Sequence, residues 1–136
     1  MPVTLSRVAI DRRVSEFLRE LAAGEGITVR VRGDCMEPLI HAASDVRVTR
    51  KRVYLPGDVI VFRTPAGDLA AHRLLGYRRM DGAMAFVTKG DHCVMHDAPV
   101  SRTDVLGHVE ALTIRKRDRL RAVANLGRII FRRLTR

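Results

Sequence analysis

Tryptophan is absent from this chain of 136 residues, and aromatic residues make up only 4% of it. We therefore expect an aliphatic core, in one domain that is long enough to bury it. The chain has only two cysteines, which excludes a disulfide-dense scaffold. No apolar run approaches the roughly 18 residues that a membrane-spanning helix needs. The first twenty residues contain four arginines and three acids, where an export signal would be apolar.

These absences favour a cytoplasmic, reducing location, in which both cysteines are thiols. Acidic residues are also scarce at one end of the chain. Between Arg115 and Arg136, nine Lys or Arg residues accompany a single acid, Asp118, so this tail carries +8 of the formal net charge of +10. Because the rest of the chain is almost neutral, the charge pattern argues against nucleic acid as the partner.

Hydrophobic periodicity divides the chain into three segments. In residues 1–26, apolar side chains recur at near-helical spacing over 4–23 and two glycines follow, which predicts an N-terminal helix. Those apolar side chains are Val8, Val14, Phe17, Leu18 and Leu21. Residues 27–114 change to short β-branched runs separated by Pro, Gly and Asp turns. The predicted strands lie in 27–33, 45–50, 58–64, 69–77, 84–90 and 105–112. The fold class expected is mainly β and antiparallel.

Residues 115–136 form the third segment, which has the pattern of a basic amphipathic helix. Its apolar face is expected to contain Leu120, Val123, Leu126, Ile129, Ile130 and Leu134. Such a helix is too charged to cross a membrane. Two arrangements stay open: it packs on its own domain with a solvated basic face, or residues 117–136 contact an anionic membrane surface from the cytoplasmic side.

Cys35 is the first candidate for chemistry, because it follows a predicted strand and precedes a proline turn. This position can expose a nucleophile beside backbone N–H groups. A thiol also needs a base, and the chain offers His41, His72, His92, His96 and His108. His72 lies in a strand-like run that could form a hairpin with the preceding strand. Asp91 and Asp97, in the loop at 88–99, are carboxylates that could orient an imidazole.

The order of these motifs resembles the signal peptidase I and self-cleaving repressor superfamily. The matching blocks, which span about residues 27–114, are "GDCMEPLI", "LPGDVIVFRT", "AHRLLGY", "FVTKGDHCVMHDAPV" and "DVLGHV". The resemblance implies that Cys35 stands where the family has its nucleophilic serine. It also implies that His72 replaces the lysine base, as in the archaeal and endoplasmic-reticulum type, and that Asp97 assists, with Asp91 the other family acid.

The chain departs from the family pattern at three points. Cysteine replaces serine at 35, which preserves a nucleophile. Gly33 stands where signal peptidases often have a hydroxyl residue, so "GDCM" (Gly33, Asp34, Cys35, Met36) is nearer the self-cleaving branch and backbone N–H groups would have to bind the oxyanion. The N-terminal membrane anchor is replaced by an ordinary helix. The predicted function is therefore a Cys-His-Asp endopeptidase that cuts a cytoplasmic peptide or partner protein, bound as an extended strand.

Two alternatives differ in class from a peptidase. Cys35, His72, Cys93 and His96 are zinc-ligand types, but paired CxxC or HxxxH motifs are missing, and the resemblance explains Cys35 and His72 without a metal. No metal or other cofactor is therefore expected. The other alternative is an inactive peptidase-like binding module that uses its basic tail to hold a membrane or nucleic acid.

Overall fold

The computed structural model describes residues 3–4, 10–30 and 34–135. It contains two helices, α1 (Arg12–Ala23) and α2 (Lys116–Leu134), and seven strands. The strands are β1 (Val3–Thr4), β2 (Ile27–Arg30), β3 (Asp45–Thr49), β4 (Val59–Arg63), β5 (Leu69–Met80), β6 (Ala83–Lys89) and β7 (Val105–Val109). The fold is mainly β, as the sequence predicts.

All seven strands form one sheet in the order β1-β2-β3-β7-β4-β5-β6. Every pairing is antiparallel except that of the short β1 with β2. β4 lies between β7 and β5, and its apolar residues from Val59 to Phe62 are all buried. A continuous apolar run, rather than an alternating one, is typical of a strand that is covered on both faces.

β5 and β6 form a hairpin whose turn contains Asp81 and Gly82, both with positive φ. Such a turn matches the twist of the flanking strands and favours the Asp-Gly pair. The hairpin has a register shift between Leu74 and Gly76. It carries His72 on one strand and leads directly into the loop at 90–99, so it brings most of the candidate residues to one part of the sheet.

The predicted N-terminal helix over 4–23 is too long. Val3–Thr4 is a strand, and α1 begins only at Arg12, where the Asp11 carboxylate accepts a hydrogen bond from the Val14 N–H at 2.9 Å. Just before the helix, the Ile10 N–H donates to the Gly67 carbonyl, a long-range bond that α-helical geometry would not allow. Of the five predicted apolar positions, Val8 lies outside the described residues, Leu18 is buried, and Val14, Phe17 and Leu21 are exposed.

The basic tail forms α2, but its expected single apolar face is divided. Ala122, Leu126 and Ile129 pack on Leu75 of β5 and Val87 of β6. By contrast, five apolar side chains stay largely exposed: Leu120, Val123, Ile130, Phe131 and Leu134. Within the described ranges, no helix combines the length and the apolar character that a bilayer crossing requires.

Candidate active site

His72 lies on β5, opposite Ile60 of β4, and its ring is largely buried against Phe62. Its Nδ1 lies 2.6 Å from Oδ2 of Asp97, in the loop that follows β6. The same Oδ2 accepts a 2.7 Å hydrogen bond from the hydroxyl of Thr88, a fully buried residue of β6. The Asp97 N–H in turn donates to the Thr88 carbonyl. Asp97 is therefore held in place by β6 while it orients the imidazole.

Cys35 approaches the other side of this imidazole. Its sulfur, the sulfur of Cys93 and a ring nitrogen of His72 all lie within 4.8 Å of one another. Because Nδ1 is engaged by Asp97, Nε2 is the nitrogen left for the two sulfurs. The Cys35 carbonyl accepts a 2.9 Å hydrogen bond from the His92 N–H, which joins the turn around Cys35 to the loop at 90–99. The structure thus brings the Cys35 sulfur, the His72 imidazole and the Asp97 carboxylate together in one site.

The electrostatics of the site favour a charged imidazole. Burial opposes the imidazolium, but the hydrogen bond and negative charge of Asp97, together with Cys35, outweigh it and raise the pKa of His72. Burial and the neighbouring Cys35 also raise the pKa of the Cys93 thiol. The raised pKa of Cys93 favours its protonated form.

Asp91, the other acid of the loop, points to a different partner. Its carboxylate forms a two-pronged ion pair with Arg73, at 3.0 Å to Nε and 2.6 Å to Nη2. Arg73 also donates to the Gly57 carbonyl at 2.8 Å. The Asp91 N–H approaches the sulfur of the buried Met36 at 3.4 Å. Asp91 therefore connects the loop to β5 and to the Cys35 turn, and it is a positioning residue by geometry.

The remaining predicted residues lie around this centre. Asp34 is exposed, and its carboxylate is 3.9 Å from Nε2 of His92. Gly33 lies outside the described residues, so the binding of an oxyanion by nearby N–H groups stays a prediction. Among the other candidate bases, His108 of β7 donates from Nδ1 to the Thr49 carbonyl oxygen of β3 at 2.9 Å, away from this centre.

Sequence reasoning missed three contributors. The sequence patterns did not predict a role for Thr88 or Arg73. Thr88 could have been recognised, because it is a polar residue that follows the apolar run of β6. Gly90 was missed as well. A Cβ atom at this position would lie 2.7 Å from the Cys93 sulfur and 3.0 Å from the Cys35 carbonyl oxygen. No local pattern distinguishes Gly90 from a turn glycine, because its role depends on the approach of Cys35 from a distant part of the chain.

The arrangement has the parts of a nucleophilic hydrolase site: a thiol, a buried imidazole and a carboxylate that is itself hydrogen-bonded. Comparison with known proteins found no family model that matches the chain and no curated protein whose sequence matches it.

Proposed function

We propose that this chain is an endopeptidase of the signal peptidase type with a cysteine nucleophile. The observation that supports it most is the convergence of Cys35, His72 and Asp97, which come from three separate parts of the chain. The order of the sequence motifs supports the same proposal independently. The proposal includes a cytoplasmic location and a substrate that is a cytoplasmic peptide or partner protein.

In the proposed reaction, the His72 imidazole accepts the proton of the Cys35 thiol, and the resulting thiolate attacks the scissile carbonyl carbon. The C–N bond then breaks, and the leaving amine takes the proton from the His72 imidazolium. Water, deprotonated by His72, attacks the resulting thioester and releases the acid product and the Cys35 thiol. Asp97 keeps the imidazole in one tautomer and stabilises its charged form in both halves of the reaction.

A groove beside the site offers room for a substrate side chain. It has a volume of about 280 Å³ and lies between α2 and the loop that carries Asp97. Its walls include Val87, His96, Asp97, Leu126, Ile129 and Ile130. Since these walls are mostly apolar and include Asp97, the groove is where an apolar side chain of the proposed substrate would bind.

Alkylation of the reduced protein by iodoacetamide, with mass spectrometry of each cysteine, tests the proposed nucleophile. At neutral pH, Cys35 should react faster than Cys93. His72→Ala should slow the alkylation of Cys35 by roughly tenfold or more, because the proposed base that accepts the thiol proton is lost. His96→Ala is the matched control, since His96 lies on the same loop but outside the cluster, and should have little effect.

A library of extended peptides, incubated with the protein and analysed by mass spectrometry, tests the peptidase activity itself. Cleavage should disappear in Cys35→Ala and persist in Cys93→Ser. The proposal is overturned if Cys35 reacts at the same rate with and without His72, or if cleavage survives in Cys35→Ala.

We propose, as a second function, that α2 holds the protein at an anionic membrane surface. Leu120, Val123, Phe131 and Leu134 recur at helical spacing and are 70%, 52%, 66% and 80% exposed. They form an apolar stripe on the described surface of α2 that the β sheet does not cover. The basic residues beside the stripe, which include Arg128 and Arg132, complement anionic lipid headgroups.

Sedimentation with phosphatidylcholine vesicles, with and without phosphatidylserine, tests this surface. Phe131→Ser with Leu134→Ser should abolish binding, whereas the exposed pair Val53→Ser with Met84→Ser is the matched control and should not. Arg128→Gln with Arg132→Gln should weaken binding to the anionic vesicles by about 2 kcal/mol, or roughly 30-fold. Equal binding by all variants, or equal binding to both vesicles, would contradict the proposal.

A further inference from the structure

Cys93 has no part in the proposed peptide cleavage, yet it lies at the centre of the site. Its sulfur, the Cys35 sulfur and a ring nitrogen of His72 lie within 4.8 Å of one another. In the part of the chain that the structure describes, this is the one group of three metal-ligand side chains whose donor atoms are so close. The three residues are far apart in sequence, so no local sequence motif predicts the cluster.

The distances suit a small tetrahedral ion. Zn–S and Zn–N bonds of about 2.3 and 2.0 Å place ligand atoms roughly 3.5 to 3.8 Å apart around one zinc ion. Donor atoms within 4.8 Å of one another need only a small contraction to reach that geometry. Cys35 and Cys93 are half-buried and lie in a turn and a loop, where side chains can adjust.

The surroundings of His72 also match those of a metal ligand. Metal-bound histidines usually donate the other ring nitrogen's proton to a carboxylate, which fixes the tautomer and orients the ring. Nδ1 of His72 has such a partner in Asp97 at 2.6 Å, and Asp97 is itself held by Thr88. With Nδ1 engaged by Asp97, Nε2 is the nitrogen left for a metal ion. The set of two thiolates and one imidazole is one that zinc prefers.

We propose that Cys35, Cys93 and His72 form a binding site for Zn²⁺. Three protein ligands leave the fourth position of the ion open to water. Because the Cys35 sulfur would coordinate the ion, the zinc-bound form would have no free thiolate at this position. This inference stands on the geometry of the three side chains and does not rest on the proposed peptidase function.

Titration of the reduced, metal-free full chain with Co²⁺ tests the site, since cobalt reports thiolate ligands by a charge-transfer band in the near ultraviolet. One equivalent should bind, and Zn²⁺ should displace it. Cys35→Ser and Cys93→Ser should each lower the intensity of the band by about half, because one of two thiolate ligands is lost. His41→Ala, an exposed histidine outside the cluster, should leave the spectrum unchanged. Circular dichroism checks that each variant is folded.

Two further measurements separate this site from non-specific thiol binding. Zn²⁺ should protect both cysteines from iodoacetamide, and Asp97→Asn should weaken Zn²⁺ affinity about 10- to 100-fold through His72. The proposal is overturned if the cobalt band is absent, if it is the same in Cys93→Ser, or if Asp97→Asn and His72→Gln bind Zn²⁺ like the unchanged protein. None of these outcomes depends on peptide cleavage, so the zinc site and the peptidase can fail separately.

Discussion

Gly90 shows how one residue determines the geometry of the candidate site. It follows β6, and its carbonyl accepts a 3.0 Å hydrogen bond from the Cys93 N–H. A side chain here would meet the Cys93 sulfur at 2.7 Å and the Cys35 carbonyl oxygen at 3.0 Å. The second contact is with backbone, which cannot move aside as a flexible side chain can. The two cysteines can therefore approach each other only across a residue without a Cβ atom.

Gly90→Ala should separate the Cys35 turn from the loop that carries Cys93. We expect slower alkylation of Cys35 and a loss of about 1 to 3 kcal/mol in the free energy of unfolding, as for other overpacked sites. Denaturant titration and cysteine alkylation measure the two effects. Gly127→Ala is the matched control, because nothing lies within 4 Å of its Cβ position in α2. That variant should be stabilised by up to about 1 kcal/mol, and equal behaviour of the two variants would contradict the prediction.

At the scale of elements, Asp58 connects α2 to the sheet. Its side chain is only 3% exposed, and it accepts hydrogen bonds from Lys51 at 3.1 Å, the Leu55 N–H at 2.9 Å and Arg119 of α2 at 3.1 Å. Arg119 also donates to the Pro56 carbonyl at 3.0 Å. Burial alone would raise the pKa of Asp58, but these donors outweigh it and lower the pKa.

Because the folded-state pKa of Asp58 is depressed, its stabilising contribution is complete above the unfolded-state value and is lost as the pH falls below that value. The unfolded-state value is close to the ordinary 3.8. We therefore expect the urea concentration at the unfolding midpoint to decrease as the pH is lowered below about 4. Asp58→Asn should make that midpoint less dependent on pH and should lower the free energy of unfolding at neutral pH. Asp81→Asn, at an exposed turn, is the control. If the urea midpoint of Asp58→Asn changed with pH as much as that of the unchanged protein, another carboxylate would be responsible.

At the scale of the whole molecule, the sheet joins residues that are far apart in sequence. β4 and β7 lie at its middle, with one apolar cluster on the α1 side and another around Phe62 and Phe86. The candidate site lies on the β5–β6 side, where the loop at 90–99 and the Cys35 turn meet. The central strands are paired along both edges, whereas the Cys35 turn and the loop at 90–99 lie outside the strand pairs.

Hydrogen exchange should show this difference directly. The amides of β4, β7 and the first half of β5 should exchange slowest, because they open only with global unfolding. The last turn of α2 should exchange fastest among the helical residues, since Phe131 and Leu134 are exposed. Mass spectrometry of peptic fragments measures both. Faster exchange in β4 than in the end of α2 would contradict this order.

Some features of the protein follow from the sequence alone. The alternation of apolar residues over 45–49, the apolar run over 83–87 and the Asp-Gly turn at Asp81 and Gly82 predict an antiparallel, mainly β fold, and the structure confirms it. The positions of the strands depend on short β-branched runs and the turn residues between them, which a few neighbouring residues encode. Cys35, His72 and Asp97 were selected by their resemblance to known motifs; the structure places them together, and their catalytic roles stay predictions.

Other features depend on contacts between distant segments. The chain before α1 is held by the long-range bond from Ile10 to Gly67, and the divided face of α2 is set by where Leu75 and Val87 lie in the sheet. The approach of Cys93 to Cys35 depends on the contact of the Cys35 turn with the loop at 90–99, and the position of Thr88 beside Leu74 depends on the register of β5 with β6. Helical or strand periodicity indicates which residues share a face. The residues that this face contacts depend on strand order and register, which only the packed sheet determines.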